Sequence, residues 1–252
     1  MSLSACHRWS ETPPKLVSSG SLAQAAEYNV QLGLAYLQAG ELSRAKDKLL
    51  RAQQQAPRSP NVKSAMGYFL AHTGEQQRAA AYYLQAIALA PKAGATHNNY
   101  GTFLCQQKQW RKAESHFLRA AEDPHYLNTA SIWENAGLCA LQVPELNKAS
   151  RYFHKAIHQD PKRAKSWLGL AQIQYQKQDY RKAKSYLDQY MQLNTPAAAD
   201  ALWLGVQLAH QLKDQTEALR YTLYLKNQYP YSTYYQNILK VNNRPTDTIN
   251  FS

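Results

Sequence analysis

Six alanines, Ala45, Ala79, Ala113, Ala149, Ala183 and Ala218, follow one another at intervals of 34, 34, 36, 34 and 35 residues. A period of this length constrains the fold tightly, because it demands one small structural unit copied and stacked rather than a single central core. Two further series keep nearly the same period. Small residues stand at Gly33, Gly67, Gly101 and Gly137, then Ala171, then Gly205, and prolines close the units at Pro57, Pro91, Pro124, Pro161, Pro196 and Pro230.

The clearest copy runs from His97 to Pro124, HNNYGTFLCQQKQWRKAESHFLRAAEDP. Apolar residues return at steps of three and four, the amphipathic helical period, and Pro124 stops the second helix. Tyr100, Gly101 and Leu104 share one helical face, and Ala113, Phe117 and Ala120 share the face opposite. Gly101 and Ala113 let two antiparallel backbones approach while the larger side chains fill the space beside them. A single hairpin cannot bury both its faces, so the copies must stack. The unit length and the small-residue series resemble the tetratricopeptide repeat (TPR), over about residues 26 to 232 in six units. The resemblance implies an all-α fold: a right-handed α-solenoid of six TPR helical hairpins, closed by a short capping helix around Tyr234, Ile238 and Leu239.

The departures from the period can be placed. Two extra residues fall around His125 to Thr129 and lengthen the turn between the third and fourth units. The fifth unit has Ala171 for the glycine, and Asp179-Tyr180 is expected in place of the Gly40-Glu41 turn; one extra residue falls within the sixth. Ser21 and Gln24 form a capping box, so the first helix is expected to start there. Three segments result: an attachment segment and polar, proline-containing linker over 1–21, the repeat array with its capping helix over 22–241, and a polar, disordered tail over 242–252.

Composition limits function more than fold. The net charge of +12, from 29 Lys and Arg against 17 Asp and Glu, is spread through the units rather than gathered in a run. Spread charge reads as a solvated surface, with attraction to anionic partners as its functional counterpart. Zinc-finger spacings and the signature of an RNA-binding sheet are missing, so nucleic acid is not an expected partner. The sequence has no apolar run long enough to span a bilayer. It carries no glycine-rich phosphate loop, no Gly-x-Ser-x-Gly elbow and no His-Glu-x-x-His, so no enzyme, cofactor or small-molecule substrate is expected. His154 and His158 stand four apart but with Lys155 between them and no third ligand evident, so a metal site is not expected either. Trp110, Trp133, Trp167 and Trp203 fall at helix starts or turns and read as packing residues.

First helices line the inner surface of such an array, and their side chains not needed for stacking are the candidate protein-binding residues. Counted from the glycine, these are Asn61, Tyr68 and His72 in the second unit, Asn98, Thr102 and Gln106 in the third, and Glu134, Leu138 and Gln142 in the fourth. The lining is mostly uncharged and amide-rich, which suits the backbone of an extended peptide. Cys105 and Cys139 lie on first helices of these neighbouring units. They read either as small buried apolar residues or, in an oxidising compartment, as a disulfide; its loop of about 34 residues gives about 3 to 4 kcal/mol in the chain-entropy model. In a reducing cytosol that bond would not persist. Near the start, Leu3-Ser4-Ala5-Cys6 matches the bacterial lipobox, although only five residues precede Cys6 where a signal peptide needs a basic start and an apolar segment. Lipidation of Cys6 and a chance match both fit.

The run Asn98-Asn99-Tyr100-Gly101-Thr102-Phe103-Leu104-Cys105, then Ala113 to Pro124, then Trp133-Glu134-Asn135-Ala136-Gly137-Leu138-Cys139, is similar to the type IV pilus biogenesis lipoprotein family, PilF or PilW, the pilotins of the pilus secretin. That resemblance extends over the six units, and Leu3 to Cys6 fits the family's lipidation site; His7, rather than an aspartate, fits transport to the outer membrane. It implies a periplasm-facing lipoprotein anchored in the outer membrane of a Gram-negative bacterium. Its role would be to help the secretin reach that membrane and multimerise. The rival expectation is a cytoplasmic TPR adaptor or co-chaperone scaffold that binds an extended peptide.

Overall fold

The turn inside each hairpin sets the rhythm of the chain. The computed structural model describes residues 19–143, 145–193 and 196–242. Gly40 and Gly74 hold φ of 78° and 88°, and Lys108, Gln178 and Lys213 hold 58°, 61° and 58°. Just after each of these residues an amide reaches back five positions: Glu41 N–H donates to Tyr36 O at 2.8 Å, and Glu75, Gln109, Asp179 and Asp214 repeat the bond to Leu70, Leu104, Gln174 and Ala209. This is the Schellman ending, in which one left-handed residue satisfies the last carbonyls of a helix and reverses the chain. Gln178 therefore stands where Gly40 stands, and Asp179 corresponds to Glu41. The expected Asp179-Tyr180 replacement is corrected by one residue.

Two compact units contain these hairpins. Residues 19–91 form the first two, α1 (Ser19–Gln38) with α2 (Leu42–Gln55) and α3 (Pro60–His72) with α4 (Gln76–Leu89). In the second unit, hairpins three and four are α5 (Gly94–Gln106) with α6 (Trp110–Ala121) and α7 (Thr129–Ala140) with α8 (Leu146–Gln159). Hairpins five and six are α9 (Ala164–Gln176) with α10 (Tyr180–Leu193) and α11 (Ala199–Gln211) with α12 (Gln215–Gln228), followed by α13 (Thr233–Asn242). Among the described residues there is no strand. The fold is an all-α TPR solenoid. Helix α1 begins at Ser19, two residues before the capping-box start, and α13 lays Tyr234 on Trp203 with ring centroids 6.0 Å apart, closing the last hairpin as expected. No helix among the described residues is long and apolar enough to cross a membrane.

Close helix contact explains the small-residue series. Ala45, Ala79, Ala113, Ala149 and Ala183 are all wholly buried. Sixteen residues after each first-helix glycine comes the side chain that fills its space: Leu49, Tyr83, Phe117, Phe153 and Tyr221. A Cβ at Gly101 would meet the Phe117 ring at 2.9 Å, and one at Gly137 would meet Phe153 at 2.6 Å. In the fifth hairpin the position sixteen residues after Ala171 is Leu187, and both are wholly buried. Phe153 is pressed from the far side as well, since a Cβ at Gly169 on α9 would come within 2.4 Å of it. The fifth first helix thus keeps a close-approach glycine after all, two residues earlier and turned toward the fourth hairpin.

The inserted residues lengthen one connection. Residues 122–128 join α6 to α7, where α8 and α9 are joined by four. Asp123 braces this span: its carboxylate accepts the Gly94 amide at 2.7 Å and the His125 amide at 2.9 Å, which hold its pKa below the ordinary carboxylate value.

Candidate functional site

Helices α5 and α7, the first helices of hairpins three and four, pack side by side, and this brings Cys105 and Cys139 together. Their Cα atoms are 5.7 Å apart, with the sulfurs placed as a disulfide pair. Polar side chains tie the same seam: Asn135 Nδ2 donates to Asn98 Oδ1 at 3.1 Å. On the next seam Ser166 Oγ donates to Glu134 Oε2 at 3.0 Å, with Arg163 Nη1 3.7 Å from the other carboxylate oxygen. Asn98 and Glu134 are buried, 6% and 8% exposed. Adjacent first helices stand so close that these two face a neighbouring helix and not open solvent, so they are ties between hairpins instead of groove lining.

Beside the disulfide the seam opens into a cleft of about 370 Å³. Thr102, Gln106, Leu138 and Gln142 line it, so four of the nine candidate binding residues converge on one concavity. The Thr102 hydroxyl also donates to its own helix at Asn98 O, 3.0 Å away. Lys108, Trp110, Phe117 and Asn135 complete the wall, and none of them was among the candidates. Trp110 and Phe117 come from α6, the second helix, which a count along first helices cannot reach; the signal available was the aromatic Trp110 at the hairpin turn. Asn61, Tyr68 and His72 belong to the other unit. All three are exposed, and Asn61 Nδ2 donates to Glu27 Oε2 at 2.5 Å.

A second cleft, of about 570 Å³, shares Trp110, Phe117 and Cys139 with the first and faces the second helices. Glu114 organises it. Its carboxylate accepts the Tyr152 hydroxyl at 2.6 Å and Lys148 Nζ at 3.2 Å, and Lys148 also pairs with Glu145 at 2.8 Å. Burial, reinforced by this bond to Glu114, pushes the Tyr152 phenol well above its ordinary pKa, so it stays a donor. Trp133 and Trp167 pack against neighbouring side chains. Trp133 stacks on Tyr152 at 5.7 Å with Lys155 Nζ 4.1 Å over its ring, and Trp167 meets Tyr186 at 5.8 Å. His154 and His158 are exposed, and partial burial and then Lys182 lower the pKa of His154. Among the described residues no three His, Cys, Asp or Glu side chains are grouped to hold a metal. Cys6 lies outside the described residues.

Two family models described as tetratricopeptide repeat match residues 30–94 and 141–220. Type IV pilus assembly protein PilF of Pseudomonas aeruginosa is 31% identical over 213 residues, covering 84% of each chain. The solved structure of Pseudomonas aeruginosa PilF superposes with a TM-score of 0.74, at 31% identity, over 88% of this chain and 99% of that one. PilW, a widely conserved type IV pilus biogenesis factor, gives 0.75 at 22% identity over 86% of this chain and 99% of its own, a likeness of fold.

Proposed function

Because the chain belongs to the PilF family of type IV pilus assembly proteins, TPR proteins of pilus biogenesis, we propose that it serves as the pilotin of the pilus secretin. In this reading a lipid on Cys6 holds the chain to the outer membrane, facing the periplasm. The hairpins grip a secretin subunit, bring it to that membrane and promote its multimerisation. Kinship with PilF along most of the chain carries the reading.

The site supports it in kind. A cleft with an apolar floor and amide groups at its rim, Gln106, Asn135 and Gln142, fits an extended peptide whose backbone needs both donors and acceptors. The apposed Cys105 and Cys139 suit an oxidising compartment. Several acyl chains on one cysteine, at about 0.8 kcal/mol per buried methylene, hold a protein at a bilayer far more firmly than one. No catalytic step is needed.

The test is membrane fractionation of the native protein beside Cys6→Ala, with the heat-resistant secretin multimer followed in the same cells. Release of Cys6→Ala from the outer membrane together with loss or mislocalisation of the multimer is expected. A native protein found soluble in the cytosol with the multimer unaffected would replace the reading with that of a cytoplasmic TPR adaptor.

A further inference from the structure

Three concavities adjoin one another across hairpins three to five. The first cleft, with the disulfide and Leu138 in its lining, meets the second across the wall of Trp110, Phe117 and Cys139. The second shares Glu145 and Lys148 with a third, of about 470 Å³, bordered by Arg151 and Lys177. Their chemistry changes along this course. The first is mostly apolar, with amides and a single cation, Lys108, in its wall. The second and third carry four cations, Arg111, Lys148, Arg151 and Lys177, against two carboxylates.

Those two carboxylates are already engaged. Glu114 accepts from Tyr152 and Lys148, and Glu145 pairs with Lys148. Lys177 donates to the neutral Asn147 side chain at 2.7 Å, and among the described residues it has no carboxylate within ion-pair distance. Arg111 and Arg151 are exposed, and among the described residues neither has a carboxylate within ion-pair distance. Two guanidiniums without an ion-pair partner, Arg111 on the second cleft and Arg151 on the third, continue the course that starts at the apolar cleft. They favour a ligand with an apolar anchor and carboxylates farther along it, because guanidinium binds carboxylate in a planar, bidentate way.

We propose that the site takes an extended secretin segment in which an apolar side chain, seated against Leu138 and Trp110, is followed by acidic residues that cross the turn edge to Arg111 and Arg151. This rests on the pilotin reading and adds to it the place and the chemistry of the bound segment. The apolar anchor supplies affinity, and the two arginines fix direction and speed encounter.

The experiment uses the purified full chain and fluorescein-labelled overlapping peptides spanning the secretin of the same organism, read by fluorescence anisotropy. The peptides that bind should be those with an apolar residue followed by Asp or Glu. Arg111→Glu with Arg151→Glu should weaken them by about tenfold or more, the double change to lysine should cost far less, and higher salt should weaken native binding. Leu138→Asp should abolish binding, and the exposed arginine variants, whose thermal midpoints should match the native one, provide the arm that does not depend on folding. Binding that is unchanged by reversal of both arginines, or selected peptides that are neutral or basic, overturns the inference and leaves the pilotin reading standing. Failure of every secretin peptide to bind also overturns it. Secretin multimers that form at normal levels in cells lacking the chain bring down the pilotin reading, and the inference with it.

Discussion

A methyl group at Gly137 would sit 2.6 Å from the Phe153 ring, and that ring is wholly buried with Gly169 on its other side. The ring has nowhere to move, so Gly137→Ala should lower stability by about 1 to 3 kcal/mol, read as a shift in the urea midpoint. Adding Phe153→Leu should recover part of the loss, since the fifth hairpin already pairs Ala171 with Leu187 at the same spacing; additive losses in the double variant would refute the fit. His116 makes a different residue-scale prediction. Its Nδ1 lies 2.9 Å from Nδ1 of the buried His97, an arrangement that needs one ring to accept, and Tyr100 closes on it edge-first at 4.8 Å. Burial, then His97 and Arg119, push its pKa from 6.5 down to about 4. Between those values the unfolded chain takes up a proton that the folded chain refuses, so stability should hold above pH 6.5 and fall as the pH drops toward 4. His116→Gln should flatten that part of the urea-midpoint profile.

At the scale of helices, the bond between Cys105 and Cys139 joins α5 to α7 across the connection that the insertion has lengthened. Dithiothreitol, or Cys139→Ala, should destabilise the oxidised protein by about 3 to 4 kcal/mol, the chain-entropy value for a loop of this size. An unchanged denaturation midpoint on reduction would mean that packing alone holds the seam. The neighbouring turns show what periodicity cannot deliver. Lys108, Gln178 and Lys213 adopt the left-handed turn without glycine, held by the amide that returns five residues, so no residue type marks the spot and the fifth turn was displaced by one position. The longer connection was legible because an insertion shifts all three small-residue series together.

Across the whole molecule, hairpin number, helix order and the closing helix could be read from sequence, because each small residue answers to a steric demand that repeats with the unit. The binding surface was legible only in part. Thr102, Gln106, Leu138 and Gln142 share the first cleft, since a count from the glycine gives the direction a side chain takes. The same count gives no distance between neighbouring helices, and that distance buries Asn98 and Glu134. Nor could it reveal the basic clefts, where Arg111, Lys148 and Arg151 come from second helices.

Phe153 also limits how such an array can be lengthened or shortened. Duplicating or deleting a whole hairpin carries each first-helix glycine along with the side chain sixteen residues on, so internal fit survives the edit. The match of Phe153 to Gly169 spans two hairpins and does not travel that way. Hairpins four and five therefore behave as one cassette: a foreign module spliced between them would set a side chain against a ring that has no room for it.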